Sequence, residues 1–125
     1  MTIINFAKLR DQLTVEEGKR YKLYADSKGV PSIGIGRNLR DVGVSDDEIA
    51  LMFFNDIYRI GDELSKNLPW VSDLDEVRLR VFYDLCFNMG IGGLLQFHHM
   101  LSAAKAGDFN TAADELNHSI VYTEH

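Results

Sequence analysis

The chain has 125 residues, 46% of them hydrophobic, with one cysteine and a net charge of −6. That length suits one domain with a core of its own, or two small lobes sharing a helix. The acidic balance argues against a nucleic-acid binder, which would carry a basic face, although Lys19, Arg20, Lys22 and Lys28 form a local basic cluster. Cys86 has no internal partner and, inside an apolar run, reads as a buried small hydrophobe, consistent with a reducing compartment. The start, Met1-Thr2-Ile3-Ile4-Asn5-Phe6, lacks the basic residues and continuous apolar stretch of a signal peptide. No run approaches the roughly 18 apolar residues of a membrane span.

In chain order, Phe6, Leu9 and Leu13 fall at helical spacing and predict a helix over about residues 4–16, with Gly18 as its stop. Tyr21, Leu23 and Ala25 alternate with Lys22, Tyr24 and Asp26, a period-two pattern that predicts a strand. Ser27-Lys28-Gly29 supplies turn chemistry, and Pro31 through Gly36 reads as the returning strand. Residues 19–37 therefore read as a small hairpin, with a third short strand over 38–44.

Ser45-Asp46-Asp47-Glu48 has the form of a capping box, so it opens a helix rather than a calcium loop. Ile49, Met52, Phe53, Ile57, Ile60 and Leu64 keep helical period to about residue 66 and read as core. Pro69-Trp70 breaks the helix, and Trp70 reads as a core or loop anchor. A second helix starts at Ser72 and ends at Gly90. A loop, Gly90-Ile91-Gly92-Gly93, precedes a helix near 94–106. Gly107 stops that helix, and Asp108 caps a last one near 109–119. His98 and His99 are adjacent and cannot share a helix face, so no zinc site is expected. His118 and His125 read as surface residues. The fold class is α+β, with helices segregated from a small antiparallel sheet.

Glu17 and Asp26 bracket the first strand of the hairpin. Glu17 ends a helix, where the negative end of the dipole disfavours its ionised form, and burial would add to that. A carboxyl group still protonated near neutral pH can donate to a leaving glycosidic oxygen. Asp26, beside a polar turn, is expected to stay ionised, to hold a water or to stabilise developing positive charge. Ser32, across the hairpin, offers a hydroxyl to the same water. By spacing alone Glu16 is as good an acid as Glu17, and the glycines of Ile33-Gly34-Ile35-Gly36 serve a bend or a close backbone approach.

The wording of the segment is more specific than its spacing. Glu17-Gly18, Leu23-Tyr24-Ala25-Asp26, Gly29 and Ser32-Ile33-Gly34-Ile35-Gly36 closely resemble the active-site region of phage-type lysozymes, the endolysin group of glycoside hydrolase family 24. Phe87-Asn88-Met89-Gly90 resembles a second patch of that family. Leu101 through Leu116, with Gly107-Asp108-Phe109 and Ala112-Ala113, is similar to its late helices. The resemblance implies a muramidase that hydrolyses the β-1,4 bond between N-acetylmuramic acid and N-acetylglucosamine in bacterial peptidoglycan, with inversion at the anomeric centre. It implies Glu17 as general acid, Asp26 assisting the attacking water, Ser32 in the family's Thr position, and Phe87 and Asn88 along the substrate cleft. It implies no metal and no cofactor.

The resemblance also implies a lysozyme-like domain over residues 1–125. A small β-containing lobe would span about 17–65 and a helical lobe about 1–16 and 66–125, joined by a long helix. Two departures concern the site: Ser32 keeps the hydroxyl of Thr without its methyl, and Arg37 stands where many members carry His. A third is that the family pattern continues beyond residue 125 with basic segments. The expectation is therefore a shortened helical lobe, either monomeric or covered in a homodimer. The expected setting is synthesis in the bacterial cytoplasm and action on the cell wall after release by another factor. The alternative is a lysozyme-like protein that binds peptidoglycan, or serves structurally, with weak or no hydrolysis.

Overall fold

The computed structural model describes residues 1–123, with side chains through residue 118; His125 lies outside the described residues. The α+β class expected from sequence is what the chain adopts: five helices and one three-stranded antiparallel sheet among the described residues. They fall in two compact units, Met1–Ile49 and Ala50–His125.

The first unit opens with α1 (Phe6–Glu17). Asn5 caps it, its side-chain oxygen accepting from Lys8 N–H at 3.1 Å, which sets the start two residues later than apolar spacing alone suggests. The Gly18 N–H closes the helix on the Thr14 carbonyl at 2.9 Å. The sheet follows as β1 (Arg20–Ala25), β2 (Pro31–Gly34) and β3 (Arg37–Asn38), ordered β1-β2-β3. Tyr24 pairs with Ser32, and Ser32 in turn with Asn38. The expected third strand over 38–44 is cut to two residues. Asn38 draws the following chain into a turn, its side chain accepting from Asp41 N–H and its carbonyl from Val42 and Gly43.

Helix α2 (Asp46–Asn67) starts on the expected capping box. Ser45 Oγ accepts from Glu48 N–H at 3.2 Å, and Glu48 Oε1 accepts from Ser45 N–H at 2.9 Å. The apolar stripe of α2 is only half used. Ile60 and Leu64 are buried, whereas Ile49, Met52 and Phe53 are about half exposed. A helix of 22 residues is about 33 Å long, and only its C-terminal part lies in the core of the second unit.

That core gathers Ile60, Leu64 and Leu68 with Val71, Phe82, Cys86, Leu94 and Met100. A 3-10 turn (Pro69–Asp73) carries Trp70, whose ring meets Phe82 edge-on at 5.6 Å, so Trp70 is the anchor expected. Ser72 does not start the next helix: its hydroxyl donates to the Pro69 carbonyl inside the 3-10 turn. Asp75 is the cap of α3 (Glu76–Leu94) instead, accepting from Arg78 N–H. The glycine-rich loop expected over 90–93 is a kink of one residue. Gly90 alone leaves helical geometry (φ 73°, ψ 163°), and the helical turn then resumes, with Leu95 N–H bonded to the Ile91 carbonyl. Helices α4 (His98–Lys105) and α5 (Phe109–Thr123) complete the unit. Asp108 opens α5 as expected, its carboxylate accepting from Thr111 N–H. Cys86 is buried, and desolvation, with the Glu63 carboxylate second, pushes its thiol pKa up.

Candidate active site

Glu16 accepts from Gln12 Nε2, one turn back on its own helix, at 3.2 Å. Glu17 instead lies against the β2–β3 turn: a Cβ at Gly36 would stand 3.3 Å from both its Cγ and its Oε2. Gly36 therefore leaves room for Glu17 and, at φ +71°, takes a backbone conformation that other residues adopt at a cost. The burial expected for Glu17 is not found. It is exposed at the end of a helix that buries none of its residues.

Asp26 and Ser32 meet at one peptide. Asp26 Oδ1 accepts from Val30 N–H at 2.8 Å and from Lys28 N–H at 2.8 Å, which folds the β1–β2 turn around the carboxylate. The Val30 carbonyl accepts from Asp26 N–H at 3.0 Å and from the Ser32 hydroxyl at 3.1 Å. Val30 and Ser32 are the buried residues of this unit. One carboxylate oxygen is thus structural and the other, Oδ2, makes no protein hydrogen bond among the described residues. The Ser32 proton is spent on the backbone, so its oxygen is left as an acceptor for a water.

The strand between the carboxylates is compressed. The register shifts between Arg20 and Tyr24, so four steps along β1 face two along β2. At about 3.3 Å per step, roughly 13 Å of extended chain is opposed by about 7 Å. Such irregularities re-aim side chains and shorten the span of the bulged strand. Tyr24, opposite Ser32, shares its face of the sheet. The Arg20 guanidinium lies over the Tyr24 ring, 4.9 Å from its centroid, and its Nε would stand 3.6 Å from a Cβ at Gly18.

Arg37, at the position after the last glycine, is structural. Its Nη1 donates to Glu48 Oε1 at 2.7 Å and to the Gly43 carbonyl at 3.1 Å. The Arg37 hydrogen bond, with the Ser45 N–H next, holds the Glu48 carboxyl down at about 2, and Glu48 in turn raises the Arg37 pKa.

Phe87 and Asn88 belong to the second unit, Ala50–His125. Phe87 is half exposed on a groove of about 530 Å3, lined with Phe53, Ile57, Val77, Val81 and Tyr83 and bearing Arg80 and Asp84. Asn88 is exposed, and its amide donates to the carbonyl and carboxylate of Asp84 on the same helix. The close approach expected at the Ile33-Gly34-Ile35-Gly36 glycines is found at Gly36, where the neighbour is Glu17. The sequence shows Arg20 only as part of a basic cluster; its contact with Tyr24, four residues on, has no signal in a strand, where such residues stand about 13 Å apart, and it coincides with the register shift.

The phage lysozyme family pattern matches residues 14–122. Among curated proteins, the chain is 26% identical over 144 aligned positions to the pre-baseplate central spike protein Gp5 of Enterobacteria phage T4. That match covers 93% of this chain and 25% of that protein. The chain is 33% identical over 88 positions to the endolysin of Salmonella phage P22, covering 63% of this chain and 58% of that protein. The chain thus spans a quarter of one relative and a little over half of the other.

Proposed function

The chain belongs to the phage lysozyme family, and from that premise we propose that it is a peptidoglycan hydrolase, a muramidase acting through Glu17. The observation that carries this reading is the contact of Glu17, and not Glu16, with the β2–β3 turn. It puts the end of α1 against the sheet that bears Asp26 and Ser32.

In the proposed reaction Glu17, as the acid form, protonates the glycosidic oxygen between N-acetylmuramic acid and N-acetylglucosamine. A water attacks the anomeric carbon from the opposite side, oriented by Asp26 Oδ2 and by the Ser32 oxygen. Asp26 takes up the proton of that water, and the configuration inverts. Such a water needs room between the carboxyl groups, and a separation of roughly 6.5–9.5 Å goes with inversion. The two-lobe division, with β-containing residues 17–65 between helical segments, and a role for Phe87 and Asn88 along the glycan are part of the same proposal. So is action on the bacterial cell wall after release by another factor. No helix among the described residues is long and apolar enough to cross a membrane.

A second reading, peptidoglycan binding without useful hydrolysis, is favoured by one observation. Asp26 Oδ1 and the Ser32 hydroxyl are both engaged by the hairpin backbone. Digestion of purified peptidoglycan decides between the two. The wild-type chain should release muramic acid reducing ends, and Glu17→Gln should lower the rate at least about a hundredfold with an unchanged melting curve. Glucosamine ends, or undiminished release by Glu17→Gln, would overturn the assignment. Retention on sedimented walls without new ends would establish the second reading.

A further inference from the structure

Between Lys19 and Arg40 the chain carries six basic side chains and one acidic, in a protein whose net charge is −6. Two of the six are neutralised by ion pairs, Arg37 with Glu48 and Arg40 with Asp41. Lys19, Arg20, Lys22 and Lys28 form no ion pair among the described residues. Arg20 and Lys22 lie on β1, Lys19 just before it and Lys28 in the turn after it, and β1 is an outer strand of the sheet. Lysines on an edge strand discourage pairing with another strand, and Lys22 and Lys28 need no further account.

Arg20 differs from these. Its guanidinium is laid on the Tyr24 ring, and Tyr24 faces the same side of the sheet as Ser32. Its Nε approaches Gly18, the residue next to Glu17. The cation thus lies beside the residue that follows the candidate acid and against a ring on the Ser32 face of the sheet, and among the described residues no carboxylate pairs with it. The ring contact restricts the guanidinium, and none of its N–H groups donates to a protein group among the described residues, so they are free to bind a carboxylate through two parallel hydrogen bonds. Lys19, over the Tyr21 ring at 5.5 Å, adds positive potential just before the strand.

We propose that Arg20, on its Tyr24 platform, is a positioning residue that holds a carboxylate of the peptide stems carried by the glycan, and so sets the strand against Glu17. The proposal rests on the peptidoglycan reading above. It makes Arg20 selective for walls whose stems carry free carboxylates over walls in which they are amidated.

The test uses the full chain on two insoluble substrates, native peptidoglycan and the same material with its carboxylates converted to amides. On native walls Arg20→Gln should raise KM about tenfold with kcat within twofold, and Arg20→Lys should recover part of the loss. On amidated walls wild type and Arg20→Gln should coincide. Lys22→Gln removes an equal charge from β1 and should behave as wild type on both. A common KM for wild type and Arg20→Gln on native walls would overturn the proposal. So would a loss as large in Lys22→Gln, which would assign the effect to net charge. Sedimentation of the same variants with both walls separates this from the hydrolysis proposal. If no variant releases reducing ends, tighter retention of wild type than of Arg20→Gln on native walls alone still supports the Arg20 contact, and equal retention rejects it.

Discussion

Gly34 and Gly36 stand two residues apart in one turn with nearly the same φ, +69° and +71°, yet their surroundings differ. A Cβ at Gly34 meets nothing within 4 Å, whereas at Gly36 it meets the Glu17 side chain at 3.3 Å. Alanine at either position holds a left-handed conformation that costs about 1–2 kcal/mol. The two variants should lose similar stability in denaturant titration. On the proposed role of Glu17, only Gly36→Ala should also displace its carboxyl and lower peptidoglycan turnover, by about tenfold or more, because small misplacements of a reacting group are expensive. Equal turnover in the two would detach Gly36 from the site. The residue types of the site are legible in sequence because the motif places them at fixed spacing. Their neighbours are not: nothing around Gly36 names Glu17, nineteen residues earlier, as the side chain it accommodates.

Among the elements, the β3–α2 junction is tied by Arg37 and Glu48. The folded Glu48 carboxyl, at about 2, lies below its ordinary value of 4.5, so its contribution to stability is complete above that ordinary range. It is lost as pH falls from there through about 2. Carboxyl-resolved NMR titration should show Glu48 as the late-titrating acid of its capping box, and Arg37→Gln should move its midpoint up toward 4.5. An unmoved midpoint would remove Arg37 as the cause. In the second unit Gly61 lies in α2 where a Cβ would come within 2.6 Å of Tyr83 Oη. Gly61→Ala gains about 1 kcal/mol of helix propensity and forces the half-buried ring aside, at about 1–3 kcal/mol, so the melting temperature should fall. In a Tyr83→Phe background the same change should raise it, and a fall there would locate the strain elsewhere. Element starts were legible where one side chain decides them, as at Ser45 and Asp108. They are not legible where two candidates compete, as at Ser72, where Asp75 provides the cap; Gly90 breaks the helix as expected, but helical turns resume directly after it.

For the molecule as a whole, burial is uneven. In Met1–Ile49 the described buried residues are Val30 and Ser32, while the apolar cluster from Ile60 to Ala112 lies in Ala50–His125. Opening a segment that buries little apolar surface needs little free energy. Amide hydrogens of β1 and β2 should therefore exchange at least about tenfold faster than those of Phe82 and Cys86 in α3. Comparable protection in the two units would show that the sheet opens only with the core.

The amino-acid sequence by itself determined the α+β class, the hairpin bounded by Glu17 and Asp26, and the family to which the chain belongs. These depend on spacing along a covalent backbone and on caps and turns closed within four residues. Tertiary structure alone decided that Glu17 rather than Glu16 meets the sheet, and that Asp26 and Ser32 are joined through Val30. It also decided that Arg20 keeps its charge unpaired over Tyr24 and that only half of the α2 stripe is buried. Each of those outcomes turns on a register shift or on which surfaces find cover. Both are settled by the sum of many weak contacts between distant residues, and no short motif encodes that sum.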